Sequence, residues 1–264
     1  MRYYVNIPEG QVHYQEKGTG QPLLLLHQTR MSSEEYSEVM PILARTNRVI
    51  AVDLLGHGNS DDPPPGFRIE DHAQALIHFL DALDIKEANV VGHHVGARIA
   101  VELAASWPER VCKLVLSGCP WHSKEERIRL PSDAKYHKWD SEISKDGLFL
   151  VKLWQASKSL WGSDVNPRAL CKILGLSLLT IVRSYNIHDA VFQHDIDSRL
   201  RMIKSPTLLV SGSEDPFYDK LEVVSKLIPQ CQVKVIEGGG GYICLERPKE
   251  FAEVIIDFLK DPKL

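Results

Sequence analysis

Val90-Val91-Gly92-His93-His94-Val95-Gly96 is the stretch on which the reading of this chain turns. The apolar run Ala88 to Val91 reads as a strand ending at Gly92, and Val95 to about Trp107 reads as an amphipathic helix leaving the far side of a sharp turn. Glycines two positions either side of residue 94 let strand and helix approach closely while the tip residue takes a strained backbone. The pattern G-x-S-x-G builds such a turn to present a serine. Here it reads G-x-H-x-G, so the presented side chain is His94. An imidazole changes charge near neutrality, which suits it to proton transfer. The plainer alternative is a degenerate turn whose histidine is merely hydrogen-bonded. Keeping a strained turn costs about 1 to 3 kcal/mol, however, and display of a reactive group gives that cost a reason. His93, just before the tip, is expected to point inward and pack.

Outward from the turn, strand-like and helix-like segments alternate from Tyr3 to Leu116. Strands Tyr3 to Ile7 and Gln11 to Gln15 flank a Pro8-Glu9-Gly10 turn. Pro22 to Leu26 (strand), Ser33 to Leu43 (helix), Arg48 to Val52 (strand), Ile69 to Leu83 (helix) and, beyond the turn, Val111 to Leu116 (strand) follow. This rhythm predicts a mainly parallel sheet with helices on both faces, and the unbroken apolar run Leu23 to Leu26 fits a strand covered on both sides. After Pro120 the rhythm breaks into helical stretches, Gly147 to Trp161 and Pro167 to Ser184, with Leu148, Val151, Trp154, Leu174 and Leu178 on their apolar faces. It resumes with strands Thr207 to Ser211 and Gln232 to Val235 and a helix Pro248 to Leu259 that has proline at its start. The expected organisation is a body formed by residues 1–120 and 201–264, with residues 121–200 inserted as a helical lid.

At 264 residues the chain is long enough for one large α/β domain with a full core. Hydrophobic content of 44%, charged content of 25% and a net charge of -4 describe an ordinary soluble globule and give no attraction to nucleic acid. No apolar run reaches the roughly 18 residues a membrane span needs, and Met1 to Gly10 lacks a basic-then-apolar leader, so a cytoplasmic protein is expected. Cys112, Cys119, Cys171, Cys231 and Cys244 are odd in number and widely spaced, without a C-x-x-C pair, and read as free thiols. The partner expected is a small-molecule substrate or ligand, with the chain a monomer or homodimer.

Four motifs in order resemble those of the α/β-hydrolase superfamily: Leu23 to His27 before an oxyanion loop; Asp53, Gly56, Gly58 and Ser60 as D-x-x-G-x-G-x-S; the elbow at His94; and Ser211 to Pro216, where Asp215 matches the acid of a catalytic triad. Glu246, Arg247 and Pro248 are similar to the E-x-P that follows the triad histidine. The resemblance implies the α/β-hydrolase fold: a mainly parallel eight-stranded sheet, helices on both faces and an inserted helical lid. Three stations depart from the family pattern. The triad histidine position holds Gly241, the serine position holds His94, and the H-G-x-P loop reads His27, Gln28, Thr29, Arg30, so a Ser-His-Asp relay cannot operate.

The resemblance then implies an oxyanion hole from the Val95 amide, at a helix start, and from Thr29. His27, Gln28, Arg30, His122 and Trp154 are the expected substrate-binding residues, with Arg30 suited to a carboxylate. Asp215 has three open roles: orienting His94, binding a polar substrate group, or persisting as a relic. His188 and His194 read as packing or surface residues. A metal set of His27, His94 and His122 finds no support in H-x-x-x-H or H-x-H spacing, so neither metal nor cofactor is expected. Two functions compete. One is a cofactor-free enzyme in which His94 is general base or nucleophile toward a carbonyl, in hydrolase-like, lyase or cyclase chemistry. The other is a non-catalytic small-molecule receptor that keeps the pocket, which the missing histidine at 241 favours.

Overall fold

A computed structural model describes residues 1–130, 143–162, 165–183 and 187–261. Eight strands, β1 (Arg2–Ile7), β2 (Gly10–Lys17), β3 (Pro22–Leu26), β4 (Arg48–Val52), β5 (Ala88–His93), β6 (Val111–Ser117), β7 (Thr207–Gly212) and β8 (Cys231–Ile236), form one sheet ordered β1-β2-β4-β3-β5-β6-β7-β8. The β1·β2 and β2·β4 pairings are antiparallel and the other five are parallel. This is the α/β-hydrolase fold. Its central strands read as continuous apolar runs because alternate residues feed two cores. Leu24, Leu26, Ile50, Val52, Val90, Leu114 and Leu116 pack on one face, whereas Leu23, Leu25, Val49, Ala51, Val91 and Val115 pack on the other. The first face is covered by the helices at Ile69–Ala82, Val95–Ser106 and Ile196–Met202, the second by Met40–Leu43 and Pro248–Lys260.

Between β4 and β5 the chain order reverses around β3, so the loops leaving β3 and β5 lie side by side at the carboxyl ends of the strands, where open parallel sheets place ligands. The helix expected over Ser33 to Leu43 is instead a 3-10 turn at Ser33–Tyr36 followed by Met40–Leu43. Pro41 is the reason: it has no N–H for the residue four before it, and its ring crowds the preceding turn. Helices at Lys124–Arg129, Leu148–Ser159, Pro167–Ile181 and Ile187–Gln193 occupy the stretch after β6. Ser184, the expected end of the helix starting at Pro167, lies outside the described residues, as do residues 131–142 of the expected lid. No helix among the described residues is long and apolar enough to cross a membrane.

Asp53 locks the loop after β3 to the sheet. Its carboxylate accepts from the Ser33 amide (2.7 Å), the Asn59 amide (2.8 Å) and His13 Nδ1 (2.8 Å), while the Ser60 hydroxyl donates to its carbonyl (2.6 Å). Burial works to raise this carboxyl, but the donors and the nearby imidazoles win and hold it at about 2. Burial, with a smaller contribution from His27, pushes the His72 imidazole down to about 3. Because the folded value of His72 lies below the unfolded value, the unfolded chain takes the proton first, and stability falls as pH drops from about 6.5 toward 3. At pH 5 His72 alone should cost on the order of 2 kcal/mol. A melting temperature measured against pH is expected to decline below 6.5, with a shallower slope in His72→Asn; an identical slope in the variant would show that His72 does not set it.

Candidate active site

The elbow exists because two glycines permit contacts no side chain would. A Cβ on Gly92 would overlap the Gly96 carbonyl, and one on Gly96 would overlap the Leu26 carbonyl, so β5, the following helix and β3 meet backbone to backbone. Between them His94 has φ 46° and ψ -113°, a left-handed conformation rare outside glycine, held by its amide donating to Ser117 O (2.9 Å) and its carbonyl accepting from Arg98 N (3.1 Å). Arg98, fully buried, anchors the same helix through Pro120 O (2.6 Å) and His194 O (2.9 Å).

The His94 imidazole reaches Asp215 at the end of β7, with 2.8 Å between Nε2 and Oδ2. The Phe217 amide donates to the other carboxylate oxygen at 2.7 Å. Burial acts to raise the Asp215 carboxyl, but the His94 imidazole beside it and the Phe217 amide hold it below the usual range, so it is an anion that accepts the Nε2 proton. That leaves the Nδ1 lone pair of His94 without a protein partner among the described residues, on a side chain 11% exposed. Gly118, with φ 50°, makes the contact possible: a Cβ there would stand 2.6 Å from His94 Nε2 and 2.7 Å from Asp215 Oδ2. The Phe217 ring meets His94 edge-on (5.2 Å, 88°) and His122 likewise (5.9 Å, 90°), placing His122 one ring beyond the elbow. Burial pushes His122 down to about 4, so it is neutral near pH 7, with Nδ1 buried and unpartnered.

A second buried network lies behind the first. Glu35 accepts from His93 Nδ1 (2.8 Å), the Gln28 amide (2.9 Å) and Gln28 Nε2 (2.8 Å), and Gln28 Nε2 also donates to Gly241 O (3.0 Å). Burial would raise Glu35 and lower His93, yet their mutual attraction prevails, lowering the acid and raising the base. His93 thus does more than pack. A Cβ on Gly241 would lie 3.2 Å from Leu160 O and 3.4 Å from both His94 Cε1 and Pro216 Cδ. Glu246 closes this glycine loop by accepting from the amides of Gly162, Gly240 and Tyr242 at 2.8 to 2.9 Å.

Several expected substrate residues are committed to the scaffold. His27 is fully buried, with Nδ1 donating to Gln28 O (2.7 Å) and Nε2 accepting from Leu54 N (3.0 Å), so neither nitrogen can serve a substrate. Gln28 is likewise drawn into the Glu35 network, its amide and its Nε2 both donating to that carboxylate. Trp154 packs beside Trp161, Leu170, Ile173 and Tyr242 in a satellite cluster. Arg30 has a left-handed backbone (φ 62°). The Val95 and Thr29 amides donate to no protein acceptor among the described residues, and Thr29 Oγ1 is buried and unpartnered. A cleft of about 500 Å³ lined by Pro63, Pro64, Phe67, Arg68, Asp189 and Gln193 includes none of these elbow residues. His27, His94 and His122 do not come together as a metal set among the described residues; ring nitrogens of His93 and His94 and an Asp215 oxygen do, within 4.8 Å of one another.

Residues 21–172 match the family described as alpha/beta hydrolase fold, and the chain belongs to it. It is 30% identical over 277 residues to a 2-hydroxy-6-oxononadienedioate/2-hydroxy-6-oxononatrienedioate hydrolase of Paraburkholderia phymatum, covering 97% of this chain and 94% of that one. It is 28% identical over 225 residues, 81% of each chain, to a protein of Bacillus subtilis (strain 168) assigned as a 2-succinyl-6-hydroxy-2,4-cyclohexadiene-1-carboxylate synthase. The structure of an enol-lactonase from Burkholderia xenovorans LB400 superposes with a TM-score of 0.83 at 20% identity, over 98% of this chain and all of that one. Its relatives are thus enzymes named for small molecules, both hydrolases and a synthase.

Gly241 and His94 should be energetically coupled. Gly241→His alone is expected to cost about 1 to 3 kcal/mol by overpacking against the His94 ring and Leu160 O. Adding His94→Ser should return at least about 0.5 kcal/mol of that in a double-mutant cycle by denaturant unfolding. Strict additivity would mean that the two positions do not share space.

Proposed function

We propose that this chain is an enzyme acting on a small, partly apolar carbonyl-containing molecule through His94 as general base or nucleophile, without a serine relay. The observation that carries the reading is the 2.8 Å contact between His94 Nε2 and the ionised Asp215, made on an elbow kept in its strained form. In the usual triad the acid orients a histidine that then activates a serine. Here one imidazole occupies the tip and takes the acid's orienting bond itself. With its proton fixed on Nε2, the basic nitrogen is Nδ1. The Val95 amide at the helix start, with Thr29 opposite, would stabilise negative charge developing on the carbonyl oxygen as a proton leaves the neighbouring carbon or Nδ1 attacks.

The named substrates and products of the relatives are oxo acids and carboxylates, which supports this substrate class, with Arg30 the candidate partner for a carboxylate. His122, neutral and reaching past Phe217, is the candidate polar contact on the far side, and residues 121–200 the candidate lid. The receptor reading draws on Gly241: no imidazole remains there to complete a hydrolytic relay.

His94→Ala is expected to lower turnover by about 10² to 10⁴ and also to lower the melting temperature, since it leaves the buried Asp215 carboxylate with only the Phe217 amide. Asp215→Asn should also lower turnover, because an amide does not select the same tautomer. Parent protein should not be labelled by a fluorophosphonate serine probe. Unchanged turnover in His94→Ala, or ligand binding with no turnover of any oxo acid, would replace the enzyme reading with the receptor.

A further inference from the structure

Behind the elbow, His93 is held on one ring nitrogen and open on the other. Glu35 fixes Nδ1 at 2.8 Å, with Cys244 Sγ 3.7 Å from the same atom, whereas Nε2 is buried without a hydrogen-bond partner. Ser117 pairs with His93 in register across β5 and β6, so its side chain stands on the same sheet face, and its hydroxyl is also buried and unpartnered. Consecutive residues of a strand normally point to opposite faces. The left-handed turn at His94 overrides this, bringing the two imidazoles to 4.4 Å between centroids, and a ring nitrogen from each lies within 4.8 Å of an Asp215 oxygen.

We propose that His93, His94 and Asp215 form a binding site for a divalent transition-metal ion of the zinc class. Two imidazoles and one carboxylate are a donor set that zinc accepts, with a fourth position left for water. Because Glu35 holds His93 Nδ1, Nε2 is the nitrogen offered to the ion. A carboxylate on the far nitrogen is the usual support of a metal-binding histidine, orienting the ring and raising its basicity. In a tetrahedral zinc site, ligand atoms stand about 3.3 Å apart, so the 2.8 Å His94–Asp215 contact must open by about 0.5 Å, while a His93 ring nitrogen starts within 4.8 Å of the other two donor atoms.

The ion needs the Nε2 lone pair of His94. The imidazole proton then resides on Nδ1, and the bond to Asp215 is replaced by metal coordination. Nδ1 thereby loses the lone pair used in the base reaction, so metal-bound and base-competent states exclude each other and the ion acts as a reversible block. The site itself stands on its own geometry and does not require the base reading.

Equilibrium dialysis of the full chain against Zn²⁺, read by elemental analysis, is expected to show one tightly held ion per chain. Asp215→Asn should weaken it at least about 100-fold. Glu35→Gln, which touches no ion, should weaken it about 10- to 100-fold. Substituting Co²⁺ should give the intense visible bands of a four-coordinate site in the parent and lose them in Asp215→Asn. His93 is fully buried and its replacement risks the fold, so these two near-isosteric variants carry the test. Equal Zn²⁺ affinity and unchanged Co²⁺ spectra in both variants, or parent binding no tighter than that of His94→Ala/Asp215→Asn, would overturn the proposal. Dialysis needs no substrate. Loss of the base reading through His94→Ala turnover therefore leaves the metal result standing, and absence of Zn²⁺ binding leaves the base reading standing.

Discussion

The left-handed backbone at His94 is the constraint from which the rest of the site follows. It can be held only where strand, turn and helix close on one another, and that closure needs Gly92 and Gly96, whose missing side chains leave room for the Gly96 and Leu26 carbonyls. Once the turn is made, its tip leaves the plane of the sheet, the following amides open a helix N-terminus, and the side chain is aimed toward the ends of β6 and β7. A conformation costing about 1 to 3 kcal/mol is retained in proteins where surrounding structure over-determines it. Here β3 and β5, buried on both faces, supply that surround.

Placing an imidazole at this tip changes what its neighbours must be. Gly118 leaves the approach of His94 to Asp215 clear, since a Cβ there would stand 2.6 Å from His94 Nε2 and 2.7 Å from Asp215 Oδ2. Gln28 reaches across to donate to the Gly241 carbonyl at 3.0 Å. That hydrogen bond ties the loop after β3 to the loop after β8 through a side chain instead of through catalytic groups.

What could be read from the chain divides along physical lines. The sheet was legible because buried parallel strands write themselves as apolar runs, as in Leu23 to Leu26, and the turn because glycine spacing is local. The continuous helix read over Ser33 to Leu43 gave too little weight to Pro41, which splits it into two short pieces. Glu35 was not legible as a site residue. It sits among acidic and polar neighbours in a segment that reads as a solvated helix face, and its burial is decided by His93, 58 positions away, and by Gln28. His27 failed in the opposite sense, since a histidine at a loop mouth suggests substrate contact while both its nitrogens serve the backbone of residues 28 and 54. No local pattern records a hydrogen bond that closes a long loop.

The two acids of the site do different work because their surroundings differ. Asp215 meets a partly exposed imidazole and one amide, so its negative charge is available to orient His94 at the site's edge. Glu35 is fully enclosed and accepts from three donors, so its charge is committed to position. Both carboxylates are buried and paired with an imidazole at 2.8 Å, so removing either imidazole would leave a buried charge less well satisfied. Glu35 fixes His93 and Gln28, and Gln28 fixes the loop at Gly241.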